Sequence, residues 1–144
     1  MNKLTIKKVS TPQELSDARK VRRQVFIEEQ GIKREVEFDG LDQNSDHLIA
    51  HNNNIPVGTA RIRYKNDVQA KLERMAVLKP YRGRGIGKGI AKASLKLTET
   101  KGTLEVVLNA QQAAAGFYEK LGFQQEGEPF EEAGIPHIAM TKKL

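Results

Sequence analysis

Between Lys79 and Lys88 lies a run that could hold a phosphate: Lys79-Pro-Tyr-Arg-Gly-Arg-Gly-Ile-Gly-Lys88, preceded by the apolar stretch Leu72 to Leu78. The order reads as a strand, a glycine-rich turn and a helix. Gly83, Gly85 and Gly87 let the backbone approach a ligand closely, and the helix that starts there aims unpaired N–H groups and a positive dipole end at it. That is the chemistry of an anion site. Two well-known phosphate loops fail on spacing. A P-loop or a dinucleotide fingerprint needs glycine at the position held by Lys88 or by Ile90. Glu105, at about the distance expected for a ribose contact, would begin its strand instead of ending it. What fits is Arg82-Gly-Arg-Gly-Ile-Gly87, an Arg-x-x-Gly-x-Gly run. As a plain turn it would be costly, since glycine in a helix interior loses about 1 kcal/mol against alanine.

That run resembles the pyrophosphate loop of the GNAT N-acetyltransferase superfamily, which uses acetyl-coenzyme A. Three further segments extend the likeness over about residues 46 to 142: Leu72 to Val77 is similar to the family's central strand, Asn109-Ala-Gln-Gln112 to the end of its next strand, and Ala115 to Phe123 to its last helix and turn. Val25 to Gln30, Asp46 to Ala50 and Gly134 to Ile138 resemble the ElaA-like, YjcF-like branch. The resemblance implies a fold and a set of roles. Arg82, Gly83, Arg84, Gly85, Ile86, Gly87 and Lys88 would hold pyrophosphate. Met75, Ala76 and Val77 would sit at a bulge whose backbone N–H groups meet the thioester carbonyl and pantetheine arm, where an aimed amide stabilises a developing oxyanion. Asn109 and Phe117 would flank the pantetheine.

Tyr118 matches the tyrosine that protonates the departing thiolate in much of the superfamily, a task within reach of a phenol whose ordinary pKa is near 10. Its plainer role is an aromatic packed beside Phe117, and Tyr81 is a rival donor. An amine nucleophile must be neutral to attack, so a base is expected. Glu73 occupies the position of a catalytic glutamate in some polyamine-acetylating relatives; the alternative is a strand glutamate paired with Arg74 or Arg61. His47 and His137 are either hydrogen-bonded structural histidines or acceptor-site groups. Glu28, Glu29 and Gln30 form either an acidic lip for a cationic acceptor or the solvated end of a helix. His47, His51 and His137 lack metal-ligand spacing, so no metal is expected.

The elements that must position these groups follow from pattern. Leu4 to Val9 alternates as a strand. Thr11-Pro-Gln-Glu14 is a capping box with proline at the first helical position, and Leu15, Ala18, Val21, Val25 and Phe26 recur at helical spacing until Gly31. Ile32 to Ser45 reads as a loop or short helical segment where the superfamily places its acceptor site. His47 to His51 and Ile55 to Tyr64 are predicted as strands joined by an asparagine turn. From Ile86, a helix with Ile86, Ile90, Ala93 and Leu97 inward leads to a strand over Leu104 to Leu108 buried on both faces. Gln112 to Leu121 is helical, Gly122 caps it, and Ile135 to Thr141 closes with a strand. The fold class is α/β: a mixed, mostly antiparallel sheet with helices on both faces and, as the resemblance implies, splayed central strands.

Composition sets the outer limits. The chain has 144 residues, enough for one domain over 1–144 with a sizeable core. It lacks cysteine, which excludes a cysteine nucleophile, and no serine stands in a nucleophile-elbow pattern, so direct attack without a covalent enzyme intermediate is expected. The start carries no signal-peptide core and no run is long enough to span a membrane, so a cytoplasmic protein is expected. A net charge of +6 suits either nucleic acid or a polyanionic cosubstrate, but the aromatics are too few to stack bases, so no nucleic acid is expected. The expected partners are acetyl-CoA or CoA and a small-molecule or peptide amine, with the protein a monomer or homodimer. The competing class is a non-catalytic basic binding or adaptor module, for nucleic acid or protein, on the same fold.

Overall fold

The computed structural model describes residues 3–144. Strand β1 (Leu4–Lys8) leads into helix α1 (Pro12–Arg22), whose start is fixed by local hydrogen bonds. Thr11 is extended, its Oγ1 accepts the Glu14 N–H at 3.1 Å, and Pro12 takes the first helical position. Glu14 reaches back to the Ser10 N–H at 2.8 Å, one residue earlier than a capping box would. The helix runs on as a wider π-helical stretch, Arg23–Glu29, and stops at Gly31, whose φ of +72° suits glycine.

The expected loop then holds a short helix α2 (Arg34–Glu37) and a 3₁₀ turn at Asp42–Asn44. Strands β2 (Asp46–Asn52) and β3 (Ile55–Tyr64) meet at Asn53 and Asn54, with φ of +52° and +67°. After them come β4 (Gln69–Val77), α3 (Ile86–Thr100), β5 (Glu105–Gln111), α4 (Ala115–Glu119) and the hairpin β6 (Gln124–Glu132) and β7 (Ile135–Lys143). One sheet takes all seven strands in the order β1-β2-β3-β4-β5-β7-β6. Only β4 and β5 run parallel, because the α3 crossover joins them. One face packs on α3 and α4; the other carries α1 with its π-helical extension. Among the described residues no helix is long and apolar enough to cross a membrane.

Two predicted patterns are corrected. On α3 the buried residues are Ile86, Ile90, Ala91, Ser94 and Thr98, while Ala93 and Leu97 are half-buried. Ser94 donates to the Ile90 carbonyl and Thr98 to the Leu95 carbonyl, both at 2.8 Å, so their hydroxyls enter the core already bonded. Strand β5 buries only Val106, Leu108 and Ala110, on one face, and Leu104 lies outside it with 60% of its surface exposed.

The least expected feature is ionic. Arg22 and Arg61 are both fully buried. Arg22 donates to the Glu37 carboxylate and, at 2.7 Å, to Asp42; Arg61 donates to Asp39 at 2.8 Å and Asp42 at 3.0 Å. Arg19 reaches Asp42 at 3.0 Å, and Arg74 reaches Glu37 at 2.8 Å. The segment between α1 and β2 is thereby bolted to α1, β3 and β4. Burial would raise the Asp42 carboxyl, but hydrogen bonds and charge from Arg22, Arg61 and Arg19 outweigh it and hold the pKa at about 2, below the usual 3.8.

Removing one buried partner strands the other's charge, at a typical cost of 3–5 kcal/mol. Arg22→Met is therefore expected to lower unfolding stability by about 3 kcal/mol. Arg63→Met, on a half-exposed arginine, should cost about 1 kcal/mol or less in the same urea titration. Because the folded pKa of Asp42 is depressed, its stabilisation is complete above the unfolded value near 3.8 and is lost as pH falls toward about 2. A flat melting temperature between pH 4 and 2 would contradict this assignment.

Candidate functional site

The site begins where two strands part. β4 and β5 are paired only at Gln69↔Glu105, Ala70↔Val106 and Lys71↔Val107. Among the described residues, the facing edges of β4 and β5 have no strand partner on that side beyond Lys71. On its other edge the β3–β4 register passes from Arg61↔Glu73 to Thr59↔Ala76, so β4 carries one extra residue. Arg74, with φ +57°, sits in this bulge, and its guanidinium donates to the Glu37 and Val36 carbonyls. The insertion flips side-chain parity. Ala70 and Leu72 belong to the core under α3, Ala76 joins Val21, Val25 and Phe26 under α1, and Met75 and Val77 turn toward Phe117.

A cavity of about 770 Å³ runs through this gap. Met75, Val77, Gly87, Leu108, Phe117 and Tyr118 line it on the α3–α4 side; Ile32, Val36, Glu37, Glu73, Gln111 and His137 line it on the other. Helix α3 opens at its mouth. Gly85 is the cap residue at φ +79°, and no side chain caps the helix, so its first N–H groups remain for a ligand. Gly83, at φ +77°, also needs its freedom. A Cβ on Gly87 would meet Phe117 at 3.6 Å and Val77 at 3.7 Å, ordinary contact distances. Of the predicted loop residues, Arg82 and Gly87 line the cavity, Ile86 is buried in the core, and Gly83, Arg84, Gly85 and Lys88 are exposed at the rim. Arg84 lies over the Tyr81 ring.

Tyr118 is held by its neighbours' rings, edge-on to Phe117 at 5.0 Å and to Phe123 at 5.8 Å. It lines the cavity, and its hydroxyl has no hydrogen-bond partner among the described residues. Burial pushes the phenol well above its ordinary pKa, so it stays protonated near neutral pH. Asn109 also lines the cavity, its amide 3.4 Å from Glu132.

The structure redistributes the remaining candidates. Glu73, a candidate base, has its carboxylate among three guanidiniums: Arg63, Arg61 at 3.2 Å and Arg74 at 3.9 Å. Its Oε1 takes both close contacts as a cross-strand strut, and its Oε2 meets only Arg74 across 3.9 Å. His47 lies outside the cavity, 4% exposed beside the ion network, with Nε2 2.9 Å from the Asp42 carbonyl; burial lowers its pKa. His137 is in the cavity, stacked on Phe130, with Nδ1 2.7 Å from the Ile135 carbonyl. Glu28 is exposed and away from the cleft. Glu29 forms no acidic lip, because both its oxygens accept from Arg82 at 2.7 Å while Arg82 Nε donates to the Val77 carbonyl. Gln30 exchanges amide hydrogen bonds with Gln111, at 2.9 and 3.3 Å, roofing the gap. Gln111 was missed, though it lies two strand positions from Asn109 and therefore on the same face. Buried Glu37 was missed as well, and nothing local in the sequence marks it. Among the described residues no group of three His, Cys, Asp or Glu could hold a metal ion.

Comparison with known proteins adds independent findings. The family model described as acetyltransferase (GNAT) domain matches residues 7–144. The uncharacterized N-acetyltransferase YjcF of Bacillus subtilis is 42% identical over 131 residues, covering 90% of this chain and 93% of its own. The solved structure of Escherichia coli ElaA superposes with a TM-score of 0.84 at 25% identity, covering 97% of this chain and 99% of that one. The PaiA N-acetyltransferase of Thermoplasma acidophilum, solved in complex with coenzyme A, shares the fold with a TM-score of 0.79 at 22% identity, covering 99% of each chain.

The two rim glycines make separable tests. Gly85→Val forces a β-branched residue to φ +79° and should weaken acetyl-CoA binding at least tenfold, about 1.4 kcal/mol. Gly87→Ala has room in the protein and replaces a glycine in the first turn of α3, so it should keep or raise the melting temperature, and any lost affinity then reports contact with the ligand itself. Calorimetry on both variants reads the difference; full affinity in a folded Gly85→Val would remove the loop from the site.

Proposed function

The chain belongs to the GNAT acetyltransferase family, and from that premise we propose that it transfers an acetyl group from acetyl-CoA to a primary amine by direct attack. One observation carries the reading: the gap between β4 and β5 is bulged on one side, opens on the uncapped start of α3, and is lined by a tyrosine whose hydroxyl has no partner among the described residues. The residues fit a long ligand with an anionic head and a narrow arm. N–H groups of the Gly83–Lys88 loop would hold the pyrophosphate, with Arg84 and Lys88 adding charge at the rim. Unpaired strand edges at Met75–Val77 and Asn109 would hold the amide-bearing arm, and Phe117 would wall it. When bound, acetyl-CoA supplies the activated acyl group.

The β4 backbone at the bulge would stabilise negative charge on the acyl oxygen, and Tyr118 would deliver its proton to the leaving sulfur. With Glu73 committed to arginines, the amine's proton would leave through water or His137. Calorimetry with acetyl-CoA, followed by a thiol-release screen over amines, tests the proposal; failure to bind acetyl-CoA would return the chain to the class of basic adaptors on this fold.

Two variants test the roles. Tyr118→Phe removes a hydroxyl without a protein partner, so stability and acetyl-CoA affinity should hold while turnover falls roughly a hundredfold. Undiminished turnover would assign the proton to water. Glu73→Gln should lower stability by roughly 1–3 kcal/mol, the worth of a hydrogen bond to a charged group, and leave the pH–rate profile in place. Loss of the carboxylate-range limb would reinstate Glu73 as the base.

A further inference from the structure

Charge within the cavity is almost fully paired. Arg82 is held by Glu29, and Arg74 by Glu37 and Asp39. Glu37 and Glu73 are in turn held by guanidiniums. Glu132, half-exposed at the hairpin rim, accepts from the Asn109 amide at 3.4 Å and is ion-paired with His137, at 3.6 Å, only when that imidazole is protonated. Lys71 is different. It lines the cavity, is half-buried, and makes no ion pair or hydrogen bond among the described residues. It occupies the last paired position before β4 and β5 part, opposite Val107. Its parity matches Glu73, so it stands on the α1–α2 side of the gap, across the sheet from Phe117 and Tyr118.

Lys71 brings a positive charge without a counter-ion to the wall of the cavity, and an anion entering the cavity supplies one. A cationic acceptor such as a polyamine finds the reverse: the carboxylates of Glu37 and Glu73 are already neutralised, and Lys71 repels it. Resting on the acetyl-transfer reading above, we propose that Lys71 anchors the acceptor, and that the acceptor is a primary amine carrying a carboxylate or phosphate at its far end. Lys71 and Met75 are four residue steps apart along β4 with the bulge at Arg74 between them, a span somewhat shorter than the roughly 13 Å of four extended steps, so the amine and the anionic group lie several bonds apart. Ile32 and Val36 offer an apolar wall for the chain between them.

The test compares matched amines of graded length: ω-amino carboxylates and ω-aminoalkyl phosphates, each against the alkylamine and the diamine of the same length, read by thiol release. The expected result is a kcat/KM at least tenfold higher for one anionic series at some length. Lys71→Met should abolish that preference without moving the KM for acetyl-CoA, and Lys71→Arg should keep most of it. Which series wins decides between carboxylate and phosphate. Equal or better rates with diamines, or an unchanged preference in Lys71→Met, would overturn the assignment. If no amine is acetylated, the same compounds are titrated calorimetrically against CoA-saturated protein, and equal or absent binding of anionic and plain amines overturns it too. Silence toward CoA would instead sink the acetyl-transfer reading, and titration of the free protein then judges Lys71 by the same criterion.

Discussion

Two guanidiniums without any contact to water govern this structure. A charge removed from solvent must be met by opposite charge and by hydrogen bonds in good geometry, and Arg22 and Arg61 obtain these chiefly from Glu37, Asp39 and Asp42, with Glu73 of β4 also 3.2 Å from Arg61. Those three carboxylates lie on the one long connection between α1 and β2, which contains little regular structure to hold it otherwise. The network therefore gives the connection a fixed position. It does so through Arg74 as well, whose left-handed backbone conformation is sustained by contacts to Glu37, Asp39 and the Val36 carbonyl. Burying ions is a poor way to gain stability over a hydrophobic core. What this network supplies is location, since a loop held by several directional bonds cannot slide along an apolar surface.

From the bulge at Arg74 the rest of the cleft follows. One added residue reverses which side chains face which helix, so the same strand gives polar Lys71 and Glu73 to one side of the sheet and apolar Met75 and Val77 to the other. Where β4 leaves β5, the two sides communicate. The cavity is thus polar and charged toward α2 and apolar toward α4, a division set by parity in a single strand.

Features governed by neighbours in sequence were legible. Thr11 and Pro12 mark a helix start, Asn53 and Asn54 a tight turn, and the spaced glycines a loop whose left-handed angles the structure contains at Gly83 and Gly85. The bulge and the splay entered only through likeness to a family, because a strand's own residues do not say how far its partner will follow it. Burial of Arg22 was invisible for a related reason. On a helix, arginine between Val21 and Val25 reads as a flank, and only carboxylates 15 and 20 residues away make its burial possible. Ser94 and Thr98 misled in the other direction, since bonds within their own helix let polar residues sit where Ala93 and Leu97 were expected.

The same contrast explains why the rim is built differently from the interior. Arg82 is bound to Glu29 by two 2.7 Å hydrogen bonds, yet 41% of its side chain and 35% of the glutamate's are exposed. Water screens such a pair, which is worth about 0–1 kcal/mol, against several for the buried pairs beneath it. Close geometry thus means different things at the two places. In the interior it fixes the loop, and breaking it leaves a charge stranded. At the rim it only parks a guanidinium, and an incoming anion can take over the contact at small cost while Glu29 returns to solvent. The polyanionic cosubstrate proposed above would exploit this gradient, with rigid ionic bonds behind the cleft and exchangeable ones at its mouth.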